Sequence, residues 1–157
     1  MTDPTITILL STYNGESYLE EQLASLFAQT CWDRCRLVVR DDGSTDGTAQ
    51  LLQSYLEQLQ DDRIRLICLP ANQGAAEARN RGLREAAGEC VAFLDADDSF
   101  VPQTLETLWN LRREAGTDAA GCAHWNVTPA GTEDVETLLP AGIYDGAMVR
   151  ERLIRPL

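Results

Sequence analysis

Four short apolar runs, each but the last separated from the next by a stretch of helical periodicity, restrict this chain to very few folds. Residues 5–12 (TITILLST), 35–41 (CRLVVRD), 63–69 (RIRLICL) and 90–95 (CVAFLD) have the length and composition of buried strands. Between them, Leu19, Leu23, Leu26 and Phe27 share one helix face, and Leu51, Leu52, Tyr55, Leu56 and Leu59 share another. Ala75 to Ala87 reads as a third helix whose small residues suit close packing on a sheet. Strands and helices alternating at this spacing imply right-handed crossovers and an α/β domain, its mainly parallel sheet carrying helices on both faces. Past Asp98 the pattern loosens. Ser99 and Pro102 suit the entry of a helix through Leu105, Leu108 and Leu111, residues 119–127 suit another strand, and 128–142 (TPAGTEDVETLLPAG) reads as a loop before a short helix from Asp145.

Charge excludes some partners. The net charge is −12 and all 13 basic residues are Arg, so the chain offers no basic stripe to neutralise phosphates along a nucleic acid or an anionic membrane. Local binding of an anion remains open, through a metal ion, a helix N-terminus or single Arg side chains. The N-terminus lacks a basic start and a small-residue cleavage site, and no apolar run approaches the length of a membrane span. Of the five cysteines, Cys68 and Cys90 sit in or beside strand-like runs and are expected to be small buried hydrophobes. Cys31 and Cys35 flank WDR with no further Cys or His nearby, which does not make a zinc site. Reduced thiols point to a cytoplasmic compartment.

The chemistry gathers at the strand ends. In open α/β sheets ligands bind beyond the carboxyl ends of the strands, and three of these strands end in polar clusters: STYNGE, DDGSTDGT and DADDS. In the last, Asp95, Asp97 and Asp98 fall within four residues, and carboxylates so crowded repel one another unless a cation compensates them.

STYNGESYLEEQLASLFAQT, LVVRDDGSTDGT, NQGAAEARNRGL and GECVAFLDADD, in this order and spacing, resemble the nucleotide-binding half of the family 2 glycosyltransferases, a Rossmann-like GT-A fold. The likeness runs from about Thr5 to Asp98, with a weaker echo to about Leu153. It implies that residues 1–100 form the nucleotide-sugar-binding half and that 101–157 begin an acceptor-side half that is incomplete, so the chain reads as truncated. It further implies a divalent ion, Mn²⁺ or Mg²⁺, bridging the acidic cluster to the diphosphate of a UDP-sugar, with Asp98 as direct ligand, Asp97 facing the ribose or a metal-bound water, and Asp95 supporting the turn. Ser11 and Tyr13 would line the base pocket, and Asp42 would accept a hydrogen bond from uracil N3–H. Asp41 is the neighbouring candidate, and strand alternation does not decide between them. Arg79 would approach the phosphates or stand as a solvated helix residue. Asp46 is read as a helix cap and Glu16 as a charge that suits a helix start.

The family implies inverting transfer to a glycan or lipid-linked acceptor, by an enzyme working in the cytoplasm or at the inner face of the membrane. Its base comes from later in the domain. Glu133 and Asp134 in TEDVE are read as part of a solvated loop, so no catalytic residue is named. The alternative is a nucleotide-sugar-binding module without transfer activity, and apolar surface left open by truncation implies self-association. Two other readings of DADDS fail. An aspartyl-phosphate motif would sit on an early strand with a Lys nearby, and a calcium loop would need Gly where Phe100 stands.

Overall fold

The computed structural model describes residues 6–122, 125–128 and 131–134. Its elements, in chain order, are β1 (Ile6–Thr12), α1 (Leu19–Phe27), a 3₁₀ turn (Trp32–Arg34), β2 (Cys35–Asp41), α2 (Thr48–Leu59), β3 (Ile64–Cys68), α3 (Ala75–Glu85), β4 (Cys90–Asp95), α4 (Thr104–Ala115), β5 (Trp125–Thr128) and β6 (Gly131–Asp134). The chain divides into two compact units, Met1–Leu105 and Glu106–Leu157.

In the first unit the four long strands form one sheet in the order β3-β2-β1-β4, parallel throughout. The chain steps outward from β1 through β2 to β3, then returns to pair β4 on the far side of β1. Right-handed crossovers in opposite directions place α3 on the face opposite to α1 and α2. The packing of α3 agrees: a Cβ added at Gly82 would lie 3.3 Å from a Leu9 methyl, so the glycine lets the helix approach the strand. The central strands are buried on both sides, with Ile8, Leu10, Leu37 and Val39 on one face and Leu9 and Val38 on the other, as expected for a covered parallel sheet. Leu19, Leu23, Leu26 and Leu52 complete this core from α1 and α2.

Several boundaries are set by partners distant in sequence. The small-residue run to Ala87 does not stay helical. Ala86 is extended, and Thr7 exchanges hydrogen bonds with Ala87, accepting from its N–H and donating to its carbonyl. The start of α4 is secured by Gln29, just past α1: its Oε1 accepts from Leu105 N–H at 3.1 Å, while its Nε2 donates to the carbonyls of Ser25 and Val101. Cys68 and Cys90 are not buried. They lie on the two outer strands, Cys68 exposed and Cys90 half-buried, because an edge strand has a neighbour on one side only. Cys31 and Cys35 are buried with their sulfurs 4.0 Å apart, and burial beside Cys31 pushes the Cys35 thiol up to about 12. They pack as small hydrophobes.

In the second unit, β5 and β6 form a two-stranded antiparallel ladder. The strand expected over 119–127 is therefore confined to its end, and Glu133 and Asp134 lie on a strand where a loop was expected, paired with Asn126 and Trp125. The helix expected from Asp145 lies outside the described residues.

Gln29 is 4% exposed; its bond to Leu105 N–H is buried, and those to the Ser25 and Val101 carbonyls are partly buried. Removing it would orphan Leu105 N–H, at a cost of about 1–3 kcal/mol. Gln29→Ala and Gln29→Glu, the latter exchanging a donor for a second acceptor, are both expected to lower the urea midpoint without changing the slope. A wild-type midpoint in Gln29→Ala would contradict this role.

Candidate functional site

The switch in strand direction lies between β1 and β4, and their carboxyl ends open a crevice where open α/β sheets bind ligands. Ser11 and Asp95 are register partners at that point. Four loops converge on it, and their mutual hydrogen bonds explain most of the polar residues there.

At the end of β2, Asp41 and Asp42 are 1% and 3% exposed. Asp41 accepts from the Thr12 hydroxyl at 3.0 Å, the Ser44 hydroxyl at 2.5 Å and the Ser44 N–H at 3.1 Å. Asp42 accepts from Gln73 N–H at 3.0 and 3.1 Å on its two oxygens and from Gly74 N–H at 2.8 Å, so it holds the loop that enters α3. A carboxylate has about four lone-pair sites, and Asp42 keeps capacity for one further donor. Gly43 has φ +74°, and a Cβ there would meet the Ala71 backbone at 2.6 Å, so the turn after Asp42 requires glycine.

The loops after β1 and β2 clamp each other. Asn14 N–H donates to the Ser44 hydroxyl and Asn14 Oδ1 accepts from Thr45 N–H at 2.8 Å. Gly15 N–H donates to the Thr48 hydroxyl, Glu16 N–H to Asp46, and Gly47 N–H to Glu16 Oε2. Asp46 also accepts from the N–H and hydroxyl of Thr48, the first residue of α2. The N-cap position itself is Gly47, so Asp46 holds the first turn from one residue before the cap. The Thr48 hydroxyl bond holds its pKa below the usual carboxylate value, so Asp46 is charged at neutral pH and its bonds weaken only in acid. Glu16 is more than a charge near a helix start. It spans two loops.

The acidic cluster separates into two parts. Asp95 ends β4 and pairs with Arg79 on α3, while its carbonyl accepts from Gln22. Arg79, its side chain still 40% exposed, is thus tied to the end of β4. It balances one of the three crowded carboxylates. Asp97 and Asp98 stand exposed on the following turn, where Asp98 N–H donates to the Asp95 carbonyl. A hollow of about 510 Å³ opens between α3 and β4, lined by Arg79, Asn80, Leu83, Phe93, Asp95 and Asp98. Ser11, half-buried on β1, and Tyr13, 48% exposed on the next loop, lie beside the crevice but outside this hollow, as does Asp42.

Among the described residues no group of three or more His, Cys, Asp and Glu side chains forms a metal cage. Two exposed carboxylates on one turn do fit a hard cation that takes the rest of its oxygen ligands from a diphosphate. The sequence reading missed Asn14, Ser44 and Thr48, whose clamping roles depend on loop partners some thirty residues away. It also passed over Arg40, whose signal was visible: a charged residue inside the apolar run LVVRD.

The Glycosyl transferase family 2 profile matches residues 7–154. The chain is 40% identical over 105 residues to the putative teichuronic acid biosynthesis glycosyltransferase TuaG of Bacillus subtilis, covering 66% of this chain and 40% of that protein. Among solved structures it resembles S. aureus TarS 1–349 in complex with UDP-GlcNAc, with TM-score 0.64 and 33% identity, covering 72% of this chain and 32% of that one. It also resembles the mannosyltransferase PcManGT from Pyrobaculum calidifontis in complex with GDP-Man and Mn²⁺, with TM-score 0.56 and 34% identity over 62% of this chain and 28% of that one. The chain spans between 17% and 43% of the length of the curated relatives it matches. With its parallel sheet, its strand-end loops and a family match over most of its length, the chain belongs to the family 2 glycosyltransferases, with a GT-A-like fold.

Proposed function

We propose that this chain is the donor-binding part of a glycosyltransferase, taking a UDP-sugar with Mn²⁺ or Mg²⁺ for inverting transfer to a glycan or lipid-linked acceptor. The observation that carries this reading is the likeness, over 72% of this chain, to TarS, a structure of which holds UDP-GlcNAc. In this reading Asp42 uses its remaining acceptor site for uracil N3–H, while Ser11 and Tyr13 border the base. Asp98, with Asp97 beside it, holds the metal ion. A bound divalent ion would neutralise charge on the departing diphosphate. Arg79 keeps Asp95 from adding a third negative charge at the diphosphate's position.

The acceptor hydroxyl needs a carboxylate base, expected from the acceptor-side half, with 1–100 serving the donor. Glu133 and Asp134 on β6 are not assigned that role. We therefore expect this chain to bind donor without efficient transfer, a reading close to the alternative of a binding module. Among the described residues no helix is long and apolar enough to cross a membrane. Phe93 and Leu83, 48% and 43% exposed beside the outer edge of β4, favour self-association of the isolated chain.

Calorimetry tests the donor assignment. UDP is expected to bind more tightly than ADP, and Asp42→Asn to reduce that preference by roughly ten- to 150-fold, the worth of one charged hydrogen bond. Because Asp42 also holds the Gln73–Gly74 loop, the ratio between the two nucleotides is the informative quantity. Asp98→Asn, which keeps shape but removes charge, should abolish most of the Mn²⁺ enhancement. Equal affinity of the wild type for UDP and ADP would overturn the uridine reading, and full Mn²⁺ enhancement in Asp98→Asn would move the metal to another ligand.

Transfer is tested by UDP release from UDP-sugars with Mn²⁺ and a panel of acceptors. At most slow donor hydrolysis is expected. Acceptor-dependent turnover at about 1 per second or faster, an ordinary enzyme rate, would place a base within residues 99–157.

A further inference from the structure

Arg40 is the penultimate residue of β2, and only 4% of it is exposed. Its Nε and Nη2 are both buried with no hydrogen-bond partner among the described residues. Buried donors of a charged group left unbonded are expensive, and native structures seldom keep them without a use. Arg36 Nε is in the same condition, but it lies four residues back toward the start of the strand. Arg40 stands at the carboxyl edge, where the loops of the proposed donor site converge.

Its neighbours define its position. In the parallel register Arg40 is paired with Ser11 on one side and Ile67 on the other, and Ser11 is paired with Asp95. Register partners in a sheet share a face, so Arg40, Ser11 and Asp95 form a row beneath α3. Asp42 follows two residues later on the same face, its carboxylate held at the entry to α3 by Gln73 and Gly74. On α3, Glu77 feels the charge of Arg40, but its carboxylate is lowered in pKa chiefly by its bond to Arg81 at 2.5 Å and least by Arg40. Glu77 is thus engaged elsewhere, and Arg40 keeps unused donors two residues before the Asp42 acceptor.

We infer that Arg40 is a specificity-determining residue of the donor site, set to donate to a carbonyl oxygen of the nucleotide base whose adjacent ring N–H is accepted by Asp42. A donor and an acceptor side by side match the edge of uracil, thymine or guanine, where C=O adjoins a ring N–H. Adenine offers no such ring N–H. The base, not the diphosphate, is the partner because β1 separates β2 from β4. Two strand spacings put Arg40 about 10 Å from the end of the sheet that carries Asp97 and Asp98. This assignment rests on the donor-site reading above. It adds the reason an otherwise apolar strand carries a buried cation: the cost of the unbonded donors is recovered when the correct base arrives, and a base lacking the carbonyl leaves it in place.

The test compares wild type, Arg40→Met and Arg40→Lys in binding to uridine and to UDP with Mn²⁺, by NMR titration and calorimetry, alongside thermal melting. Arg40→Met should weaken uridine and UDP by the same factor, roughly ten- to hundred-fold. Its melting temperature should equal or exceed that of the wild type, because an apolar side chain replaces a buried cation whose Nε and Nη2 have no hydrogen bond to lose. Arg40→Lys keeps the charge but not the planar fork, and should also weaken both ligands; it decides the matter if Arg40→Met does not fold. Unchanged binding in both variants would overturn the inference. So would loss of UDP affinity with uridine unaffected, which would make Arg40 a counter-charge to the diphosphate. A wild type without preference for UDP over ADP overturns the donor-site reading itself, whereas a preference kept in the variants overturns only the role of Arg40.

Discussion

Two buried carboxylates, Asp41 and Asp42, hold the carboxyl edge of this sheet together. Neighbouring negative charges at 1% and 3% exposure would be strongly unfavourable without partners, and here each accepts three hydrogen bonds. Asp41 faces the end of β1 and its own turn, and Asp42 faces the entry to α3. Bonds to charged acceptors contribute about 1.5–3 kcal/mol each, so removing either acid would release loops from more than one strand. The Asn14, Glu16 and Asp46 clamps extend the same principle to the outer turns. A site built this way is ordered before any ligand arrives, which lowers the entropic cost of binding.

That arrangement also explains how a chain with net charge −12 can present a crevice to an anionic ligand. Carboxylates that accept backbone N–H and hydroxyl bonds, or pair with Arg79, project little free charge. Exposed negative charge at the crevice is concentrated at Asp97 and Asp98, where a divalent cation would be useful. Partly exposed ion pairs such as Arg79–Asp95 add little to stability, so the value of that pair lies in the local field.

Much of the fold was legible in the sequence because parallel strands buried on both faces are continuous apolar runs, and β2 and β4 fall on the residues such runs predict. The failures have a common cause. Cys68 and Cys90 were expected to be buried because strand order, which sets the edges, is not written in any one strand. Helix α3 stops at Glu85 because Thr7, eighty residues before Ala87, captures the chain. For the site, residue types and spacing pointed to the correct strand ends. Which acid is buried, which is paired and which is exposed depended on loop partners that only the folded chain brings together. Asp41 is engaged by Thr12 and Ser44 and Asp42 by Gln73 and Gly74, partners that strand alternation alone does not reveal.

The central claim is that the loops at the carboxyl ends of β1, β2 and β4, with the entry to α3, form a single donor-binding surface. Backbone hydrogen exchange with and without UDP and Mn²⁺ tests it most directly. The account predicts added protection in residues 11–16, 40–48, 72–80 and 95–99 together, with the amino-terminal ends of the strands unchanged. Saturating UDP that leaves 40–48 and 95–99 unprotected, or that protects the opposite edge of the sheet, would contradict it.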